Sequence, residues 1–452
     1  MESSILNLSN QIVNFVWGNV LWLVLGAGII FTIYCRFVPF RYLWHGIQIL
    51  RGKYDNENDP GQLSHFKALS TALASTIGMG NLAGVAVAIT AGGPGALFWM
   101  WVTAILGMST KFFTCTLAVL FRQKDKDGVV HGGPMYVITE ALPKNMHFLA
   151  TWFALAGCIG CLPLFQVNQL VSLLQTQLSA ISYTQTAYFN VVIGLLLVLL
   201  TWIVIKDGLK SIANVTSKLV PMMVVVYFGI GMIILIQNIS VIPSIFSLII
   251  SSAFNPSATI SGGLAVVLIQ GIKRGAFSNE AGIGTEALAH GAAKTKEPIR
   301  EGLVAMIGPL LDTLIICTLT GLIILIAVPE LSQSGITGIA LTSSAIATLL
   351  GELFGWIFFV VVLAFSFSTL VGYSFYSFKC VRFLAGEKSR SWFLPLYLAM
   401  IFLAAITSLD LVLNIVDSAF GLMAIPTLIS TLWLSPKVMN EANRYFKKIK
   451  LN

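Results

Sequence analysis

The chain has 452 residues, of which 56% are hydrophobic and only 10% are charged, and its formal net charge is +8. Because a soluble domain is usually about a quarter charged, this composition excludes an ordinary water-soluble protein and indicates a membrane protein. The basic residues lie in short clusters between apolar runs, as charges that set membrane orientation do, so we expect no nucleic-acid partner.

Apolar segments of the length that crosses a bilayer recur along the chain and predict an all-α polytopic membrane protein. Several of these segments are long, so we expect tilts, breaks or extensions beyond the bilayer. The N-terminus lacks the basic stretch of a cleavable signal peptide. We predict eleven transmembrane helices, called spans 1 to 11, near residues 17–39, 66–91, 95–121, 147–176, 187–205, 217–237, 258–290, 302–327, 352–381, 392–408 and 411–434.

Lysine and arginine are confined to alternate connections between these spans. The first, third, fifth, seventh and ninth connections contain RYLWHGIQILRGK, RQKDKDG, KDGLK, KTKEPIR and KCVRFLAGEKSR, whereas even-numbered connections such as AGGPG and PELSQSGITG contain neither residue. The positive-inside rule therefore places the odd-numbered connections and the C-terminal tail in the cytoplasm and the N-terminus outside, with the chain in the cell membrane. This alternation requires an odd number of spans and favours eleven.

Span 2 contains the stretch STIGMGNLAGVA, in which Gly78, Gly80 and Gly84 each weaken a helix by roughly 1 kcal/mol relative to alanine. Asn81 adds an amide that hydrocarbon does not solvate. Close helix packing through Gly80 and Gly84, which are four residues apart, is one explanation. Unwinding is the other, and we favour it because span 7 contains a second glycine cluster, IQGIKRGAFSNEAGIG. We predict breaks near mid-membrane at Gly78–Gly80 and Gln270–Gly275.

The two glycine-rich spans begin two blocks of five spans, which must be inverted relative to each other because five is odd. Interrupted helices at corresponding positions of inverted halves indicate the binding site of a secondary transporter. We divide the single transmembrane domain into an N-terminal helix and connection (1–60), a first repeat (61–240), a second repeat (255–436) and a tail (437–452). At such breaks, free amides suit a carboxylate, and free carbonyls suit a small hard cation.

Charged residues inside the spans are costly in a bilayer and indicate function by default. Asp312 and Asp417 are two of them, although a position near a span end would make their solvation easy. Lys273, Arg274 and Glu280 predict a gate or ion-pair cluster on the cytoplasmic side rather than a direct contact with substrate.

Histidine and cysteine residues give no sign of a metal or redox centre. His131 and the other histidines lack ligand spacing, so we expect no transition-metal site. Cys158 and Cys161 match a redox pattern, but they lie in an apolar span, where two small buried residues are the simpler interpretation.

Several long stretches, in order, resemble the alanine or glycine:cation symporter family. They are TALASTIGMGNLAGVA, GGPGALFWMWVTAILGMSTK, HGGPMYVI and GIKRGAFSNEAGIG with the following AHGAAKT, and AFSFSTLVGYSFYS resembles the ninth span of that family. The resemblance covers roughly residues 60–380. It implies a leucine-transporter-type fold of the amino acid–polyamine–organocation superfamily, with one N-terminal helix followed by five-plus-five inverted repeats. It also implies sodium-coupled import of small amino acids, mainly alanine and glycine.

The resemblance further implies where the substrate binds. The substrate carboxylate is expected on the free amides of Met79 and Gly80, with Asn81 beside the bound amino acid. The ammonium group is expected at the break in span 7, on carbonyls near Gln270 and Gly271.

A sodium ion is implied as the coupling ion, between spans 2 and 9. The expected ligands are two hydroxyls and three carbonyls, which belong to Ser368, Thr369, Ala74, Ile77 and Phe365. Adjacent hydroxyls in an apolar span fit this role, although they also commonly bond back to the carbonyl one turn earlier.

Gln166 in LFQVNQ matches a glutamine that lines the pocket of the family, although a glutamine within a span also serves as interhelical glue. Other positions depart from the family pattern. Met79 stands where threonine or serine is usual, Tyr373 replaces a common tryptophan, and Glu286 replaces a small residue. These positions flank the expected pocket and bear on which substrate is carried.

Sodium-coupled import by alternating access is therefore the expected function, with a small amino acid and the lipid bilayer as partners and no obligate protein partner evident. The alternatives are the same fold carrying glutamine or another zwitterion, or the same fold coupled to protons. A membrane-embedded enzyme or redox protein is a further class, but we find no clustered acid and base, no haem-spaced histidines and no cofactor motif, so we do not expect an enzyme. Paired interrupted helices fit a carrier better than a channel.

Overall fold

The computed structural model describes residues 2–126, 128–179, 187–254, 263–327 and 335–450. These residues are mostly helical. The α-helices are, in chain order, α1 (Glu2–Tyr34), α2 (Val38–Arg41), α3 (Leu43–Leu50), α4 (His65–Thr76), α5 (Val85–Gly92), α6 (Ala96–Leu120), α7 (Pro134–Ala141), α8 (Phe148–Gly160), α9 (Leu164–Ser179), α10 (Ala187–Ile205), α11 (Leu209–Gln237), α12 (Ile242–Phe254), α13 (Gly263–Asn279), α14 (Glu286–His290), α15 (Pro298–Ala305), α16 (Ile307–Pro309), α17 (Thr318–Ala327), α18 (Gly338–Leu350), α19 (Glu352–Ala385), α20 (Arg390–Ala404) and α21 (Leu409–Lys450).

Shorter elements complete the described chain. Two stretches of π-helix lie in spans 2 and 8, at Gly80–Gly84 and Leu310–Cys317. Two 3-10 turns lie in connections, at Lys144–Met146 and Glu387–Ser389. In the third connection the two-residue strands β1 (Gln123–Lys124) and β2 (Val130–His131) pair in an antiparallel manner.

Seven helical segments of the described chain are long and apolar enough to cross a bilayer, and a bent pair in span 2 makes eight. The seven belong to spans 1, 3, 4, 6, 8, 9 and 11. Spans 5, 7 and 10 are represented by the shorter helices α10, by α13 with α14, and by α20, so the total of eleven stays a prediction. In the most apolar stretch of α6, 83% of the residues are buried, against 33% in α11, so α6 lies at the centre of the bundle and α11 at its edge.

Two helices in even-numbered connections were not predicted. The sixth connection contains α12 and the eighth contains α18, each of 13 residues. Both are apolar but shorter than a membrane crossing. The indole of Trp99, near the start of α6, donates to the carbonyl of Ala253 at the end of α12 (3.2 Å), and the N–H of Ile339 in α18 donates to Gln169 Oε1 (3.0 Å).

The odd-numbered connections meet on one face of the bundle, which we call the odd face. The guanidinium of Arg122 in the third connection donates to carbonyls of Pro60 in the first and of Ala293 and Thr295 in the seventh, at 2.9, 2.7 and 2.6 Å. Arg382, near the end of span 9, pairs with Asp125 in the third connection, and similar contacts reach the fifth connection and the tail. This grouping agrees with the alternation that the charges predict.

The opposite face, which we call the even face, gathers the even-numbered connections. The side-chain amide of Asn168 in α9 donates to the carbonyl of Thr407 between spans 10 and 11 (2.6 Å). The hydroxyls of Thr90 and Thr337 lie 3.2 Å apart and join the end of span 2 to the start of α18. Span 2 therefore runs from the odd face at α4 to the even face at α5.

The predicted break in span 2 is confirmed. Ser64 caps α4, which then ends at Thr76 because Ile77, with ψ of 87°, leaves the helical path. The chain resumes as π-helix at Gly80, and the two halves are bent by 49°. Gly78 lies in this break and allows span 9 to approach closely, because a Cβ at that position would overlap Thr369 Oγ1.

The predicted break of span 7 at Gln270–Gly275 is wrong. This stretch lies inside the continuous helix α13, and the break follows it, between Asn279 and Glu286. Gly282 and Gly284 adopt φ of 85° and 95°, which favour glycine and end the helix. The two earlier glycines of the cluster instead allow α13 to approach α6, where a Cβ on Gly271 would lie 2.5 Å from the carbonyl oxygen of Ala96.

On the odd face, the ends of the two broken spans are held together by backbone hydrogen bonds. Leu63 pairs with Ala293 as a parallel bridge, and the N–H of Lys294 donates to the Leu63 carbonyl (2.6 Å). Directly inside this bridge, Nδ1 of His65 and Nδ1 of His290 each donate to one oxygen of the buried Glu301 carboxylate. The odd-face halves of spans 2 and 7 therefore form one unit.

A disulfide between Leu63→Cys and Ala293→Cys is expected to leave transport intact. Bridge partners lie at a separation that suits a disulfide, and the backbone bonds predict that α4 and α14 move together when the odd face opens. Uptake by reconstituted protein should be equal before and after oxidation, with each single cysteine variant as the control for the native thiols. Uptake that stops on oxidation and returns on reduction would show instead that the two ends separate during the cycle.

Candidate functional site

The amide end of the break in span 2 forms the first part of the site. The side-chain amide of Asn81 accepts from the N–H of Gly78 (3.2 Å), and the Asn81 N–H donates to the Gly78 carbonyl (3.1 Å), so the two residues close a tight turn. Asn81 Nδ2 also donates to the carbonyl of Asp312 in span 8 (2.9 Å). The N–H groups of Met79 and Gly80 stand at the start of the second half-helix and form no hydrogen bond outside it in the described chain.

The end of α13 forms the opposite part of the site. A Cβ on Gly80 would lie 3.2 Å from the ring of Phe277 and 3.6 Å from the Cα of Ser278, so span 2 touches span 7 here through glycine. The carbonyls of Phe277 and Ser278 are in the last turn of α13, where the helix supplies no further N–H. The start of the second half of span 2, with the N–H groups of Met79 and Gly80, therefore packs against the last turn of α13.

Aromatic rings close the site on one side. The ring of Phe277 makes edge-to-face contact with Phe165 in α9 (5.4 Å between centroids) and lies 5.4 Å from Phe420 in α21. The sequence analysis missed Phe277, although its position immediately before SNEAGIG, where the helix ends, was an available signal. All of these rings are buried, and the guanidinium of Arg274 lies over the Phe277 ring, 5.1 Å from its centroid.

The other predicted substrate residues lie at different places relative to the site. Gln166, adjacent to Phe165, is 2% exposed, and its Oε1 has no hydrogen-bond partner in the described chain. Gln270 and Gly271 do not reach the site, because both lie inside the continuous helix α13. Gly271 packs on α6, and Gln270 packs on Gly92 at the end of span 2. The basis for expecting the ammonium group at these two carbonyls is therefore lost.

Four of the five predicted sodium ligands, all except Ile77, are in mutual contact between spans 2 and 9. The carbonyl of Ala74 accepts from Thr369 Oγ1 (3.0 Å) and Ser368 Oγ (3.4 Å). The carbonyl of Phe365 accepts from the same two hydroxyls, at 3.1 and 2.8 Å. Ile77 stands at the end of α4 next to this group, and its N–H donates back to Leu73.

These oxygens fit a small hard cation, because carbonyls and hydroxyls are the neutral oxygen ligands that such ions accept. The bonds from the hydroxyls to the Phe365 carbonyl are the back-bonds that any serine or threonine in a helix can form, and alone they indicate nothing more. The bonds to Ala74 cross from span 9 to span 2, and they draw oxygens of two helices to one point. The group is fully buried.

The predicted cluster of Lys273, Arg274 and Glu280 is not formed. Lys273 Nζ lies 2.8 Å from Asp417 Oδ2, and Arg274 pairs with the same oxygen. Glu280 instead accepts from Thr285 and, at 2.8 Å, from Tyr373. Because α13 follows the even-numbered sixth connection and runs inward to the break, the Lys273–Arg274–Asp417 group lies on the even-face side of the break, opposite to the side expected from the sequence.

Two further acids are buried inside the bundle. Asp312 accepts from Thr313, and its own carbonyl receives the Asn81 amide, so it stands behind the break rather than at a span end. Glu286 begins α14 and accepts from Thr114 in α6 (2.9 Å). Both carboxylates therefore bond to neutral hydroxyl groups, Asp312 to its chain neighbour Thr313 and Glu286 to Thr114 of another helix.

Comparisons with known proteins agree with this architecture. A model of the sodium:alanine symporter family matches residues 2–452. The sodium/alanine symporter AgcS of Methanococcus maripaludis is 40% identical to the chain over 456 residues, which cover 99% of this chain and 98% of that protein. The probable sodium/glutamine symporter GlnT of Bacillus subtilis is 32% identical over 440 residues, which cover 97% of this chain and 90% of that protein.

Among solved structures, the crystal structure of MhsT in complex with L-phenylalanine is similar in fold. The two chains superpose with a TM-score of 0.60 at 16% identity, over 85% of this chain and 92% of that chain. At this identity the likeness shows the fold alone.

Proposed function

The chain belongs to the sodium:alanine symporter family, and on that premise we propose that it imports alanine and glycine together with sodium. It is a multi-pass membrane transporter of the alanine and cation symport type, and it is not an enzyme. The choice of small amino acids, the coupling to sodium and the direction of transport are the proposal. The single observation that carries it is the close approach of Gly80, at the start of one half-helix, to Phe277 and Ser278 in the last turn of α13.

The substrate is held by its backbone groups. The carboxylate binds the N–H groups of Met79 and Gly80, which the helix start leaves free. The ammonium group binds the carbonyls at the end of α13, those of Phe277 and Ser278, and these replace Gln270 and Gly271 in this role. Gln166 contributes its unpartnered Oε1 to the same pocket. The side chain of the amino acid meets the ring of Phe277.

Sodium binds to Ala74, Ile77, Phe365, Ser368 and Thr369. Support comes from the crossing hydrogen bonds of the two hydroxyls to Ala74. The ion and the substrate then share one break, because Ile77 ends the first half-helix and Met79 begins the second within three residues. Sodium therefore fixes the turn that aims the amides at the carboxylate, which makes substrate binding depend on the ion.

Energy for accumulation comes from the membrane potential and the sodium gradient. Moving one charge inward gains about 2.3 kcal/mol per 100 mV, enough to concentrate a neutral zwitterion roughly fiftyfold. We place the odd face in the cytoplasm of the cell membrane, as its lysines and arginines indicate. Alternating access then opens the even face to load and the odd face to release.

The test is uptake of labelled alanine by proteoliposomes that contain the purified protein. An inward sodium gradient should drive accumulation of alanine and glycine, while a proton gradient without sodium should not. Accumulation driven by protons alone would contradict the sodium site, and sodium-driven uptake that neither alanine nor glycine inhibits would contradict the substrate.

Glutamine is the second candidate substrate, and a specific observation favours it. Gln166 Oε1 is buried without a partner, and it is an acceptor for the carboxamide N–H of a glutamine side chain. The relative GlnT is named as a glutamine symporter. Counterflow of labelled alanine against a panel of amino acids separates the two candidates, because only the true substrates exchange.

Replacing Asn81 with alanine is expected to raise the alanine concentration for half-maximal uptake about tenfold. The change leaves the Gly78 N–H and the Asp312 carbonyl buried without the partner that Asn81 provides, and each such loss costs about 1–3 kcal/mol. Asn168→Ala, which removes an amide on the even face, is the control and should leave that concentration unchanged. A wild-type concentration dependence in Asn81→Ala would mean that Asn81 neither shapes the break nor touches the substrate.

A further inference from the structure

A cavity of about 280 Å³ lies on the odd face, away from the site described above. It is bounded by the start of α11, the last turns of α19, the start of α20 and the third connection. Its walls are largely aromatic and aliphatic and include Phe375, Phe378, Phe393 and Ile212. The proposed transport function leaves this cavity without a role.

Positive charge dominates the lining of the cavity. Lys210, Lys379, Arg382 and Arg390 line it, against a single acid, Asp207. The imidazole of His131 also lines the cavity. Burial lowers the pKa of His131, and the nearby Lys379 and Arg382 lower this pKa further, while the hydrogen bond with Asp125 raises it by less. Lysine and arginine therefore supply the positive field.

Three of these cations, Lys210, Lys379 and Arg390, form no ion pair with an acid in the described chain. Lys379 is 4% exposed, and its ammonium group donates only to the carbonyls of Leu288 (2.9 Å) and Gly132 (3.2 Å). Arg390 donates to the carbonyl of Lys206 (2.7 Å). Arg382 differs, because it pairs with Asp125 and Glu387. Because a buried charge is normally paired, an anion beside Lys379 would stabilise its protonated form.

The backbone adds to the positive potential. The 29-residue helix α11 begins at Leu209, on the wall of the cavity, and its first N–H groups have no acceptor within the helix. The same positive charge repels a cation, so the cavity is not suited to be the path by which sodium leaves. An anion is the complementary ligand.

The position of the cavity identifies the kind of anion. Spans 6 and 10 begin at the cavity and span 9 ends there. The cavity therefore lies at the membrane boundary, where the phosphates of lipids are found. Its cationic lining suits a phosphate, and its apolar walls suit the glycerol and first acyl carbons beneath the phosphate. Basic pockets between transmembrane helices have this combination when they bind lipid headgroups.

We propose that this cavity binds the phosphate of an anionic phospholipid, with Lys379 and Arg390 as its main contacts. The lipid supplies the counter-charge that Lys379 lacks, and it ties the start of α11 to α19 and α20. A free phosphate ion shares the headgroup chemistry but does not fill the apolar walls. The inference does not depend on which amino acid is transported.

The experiment is native mass spectrometry of the purified full-length protein with phosphatidylglycerol and phosphatidylcholine supplied in equal amounts. Wild-type protein should retain phosphatidylglycerol in preference to phosphatidylcholine. Each of the two main cations, Lys379 and Arg390, should contribute a factor of at least about five to this preference. The double variant Lys379→Gln with Arg390→Gln should lose this preference. The variant Lys206→Gln, which removes an exposed lysine near the cavity but outside its lining, should keep it.

Two further measurements keep the test decisive. The charge-retaining variant Lys379→Arg with Arg390→Lys should recover the preference, which separates lost charge from misfolding. Millimolar inorganic phosphate should not displace the lipid. A double glutamine variant that retains phosphatidylglycerol as well as wild type would overturn the site. Stabilisation by inorganic phosphate without any preference for phosphatidylglycerol would overturn the assignment of a lipid.

Discussion

The double variant Ser368→Ala with Thr369→Val is expected to raise the sodium concentration for half-maximal uptake roughly 30-fold or more. It removes two of the five proposed ligands, and it also leaves the carbonyls of Ala74 and Phe365 without the hydroxyls that now contact them. Each buried polar partner that is lost costs about 1–3 kcal/mol, and 1.4 kcal/mol is a factor of ten. The initial rate of alanine uptake is measured as a function of sodium concentration.

Two controls separate loss of the ion site from general damage to span 9. Thr369→Ser keeps the hydroxyl and should stay close to wild type. Ser374→Ala removes a hydroxyl that only bonds back to the carbonyl of Val371 (2.6 Å), and it should leave sodium dependence unchanged. An unaltered sodium dependence in the double variant would place the coupling ion elsewhere.

The ion site shows what sequence reasoning does and does not reach. Adjacent hydroxyls at Ser368 and Thr369 are visible in the sequence, but their contact with Ala74 joins residues almost 300 positions apart. No periodicity or spacing predicts that contact, and only the resemblance to a known family suggested it. The close approach of the helices depends on Gly78, whose missing Cβ makes room for Thr369.

The fold was predictable where charge and apolar length decide it. The lysines and arginines of the odd-numbered connections predicted one face on which these connections meet, and Arg122 joins three of them there. The helices α12 and α18 were not predictable in the same way. A 13-residue apolar segment is too short to cross the bilayer, and its pattern alone does not distinguish an interfacial helix from an irregular connection.

The break in span 7 was misplaced because glycine has two uses that look identical in a sequence. Gly271 and Gly275 lie in regular helix and allow close packing on α6, whereas Gly282 and Gly284 take positive φ and end the helix. The role of each glycine depends on how closely a neighbouring helix approaches it. The sequence alone does not show this. The same shift moved Lys273 and Arg274 to the even-face side of the break, where Asp417 meets them.

The corrected break changes the interpretation of selectivity. With the break at Gln270–Gly275, span 7 would have offered the substrate only backbone. With α13 continuous to Asn279, Phe277 stands in its last turn and faces Gly80. The proposed pocket then has polar backbone at its two ends and one aromatic ring along its side. Phe277 therefore limits the size of the substrate side chain.

Replacing Phe277 with alanine is expected to admit leucine to a pocket that otherwise excludes it. In the wild-type chain a Cβ on Gly80 would lie 3.2 Å from the Phe277 ring, so this ring bounds the proposed pocket beside Gly80 and is expected to clash with a branched substrate side chain. Leucine has three more carbons than alanine, each worth about 0.8 kcal/mol when buried. Inhibition of alanine uptake by leucine should therefore strengthen by roughly 10- to 100-fold in the variant.

Graded variants test whether Phe277 excludes leucine. Phe277→Leu removes less volume and should give an intermediate inhibition by leucine. Phe420→Leu alters the ring behind Phe277 without uncovering Gly80, and it should leave leucine excluded. The carboxylate and ammonium contacts are backbone groups and are unchanged by these substitutions, so alanine should still be transported by all three variants. Leucine that stays excluded from Phe277→Ala, while alanine uptake persists, would show that a different residue forms the wall of the pocket.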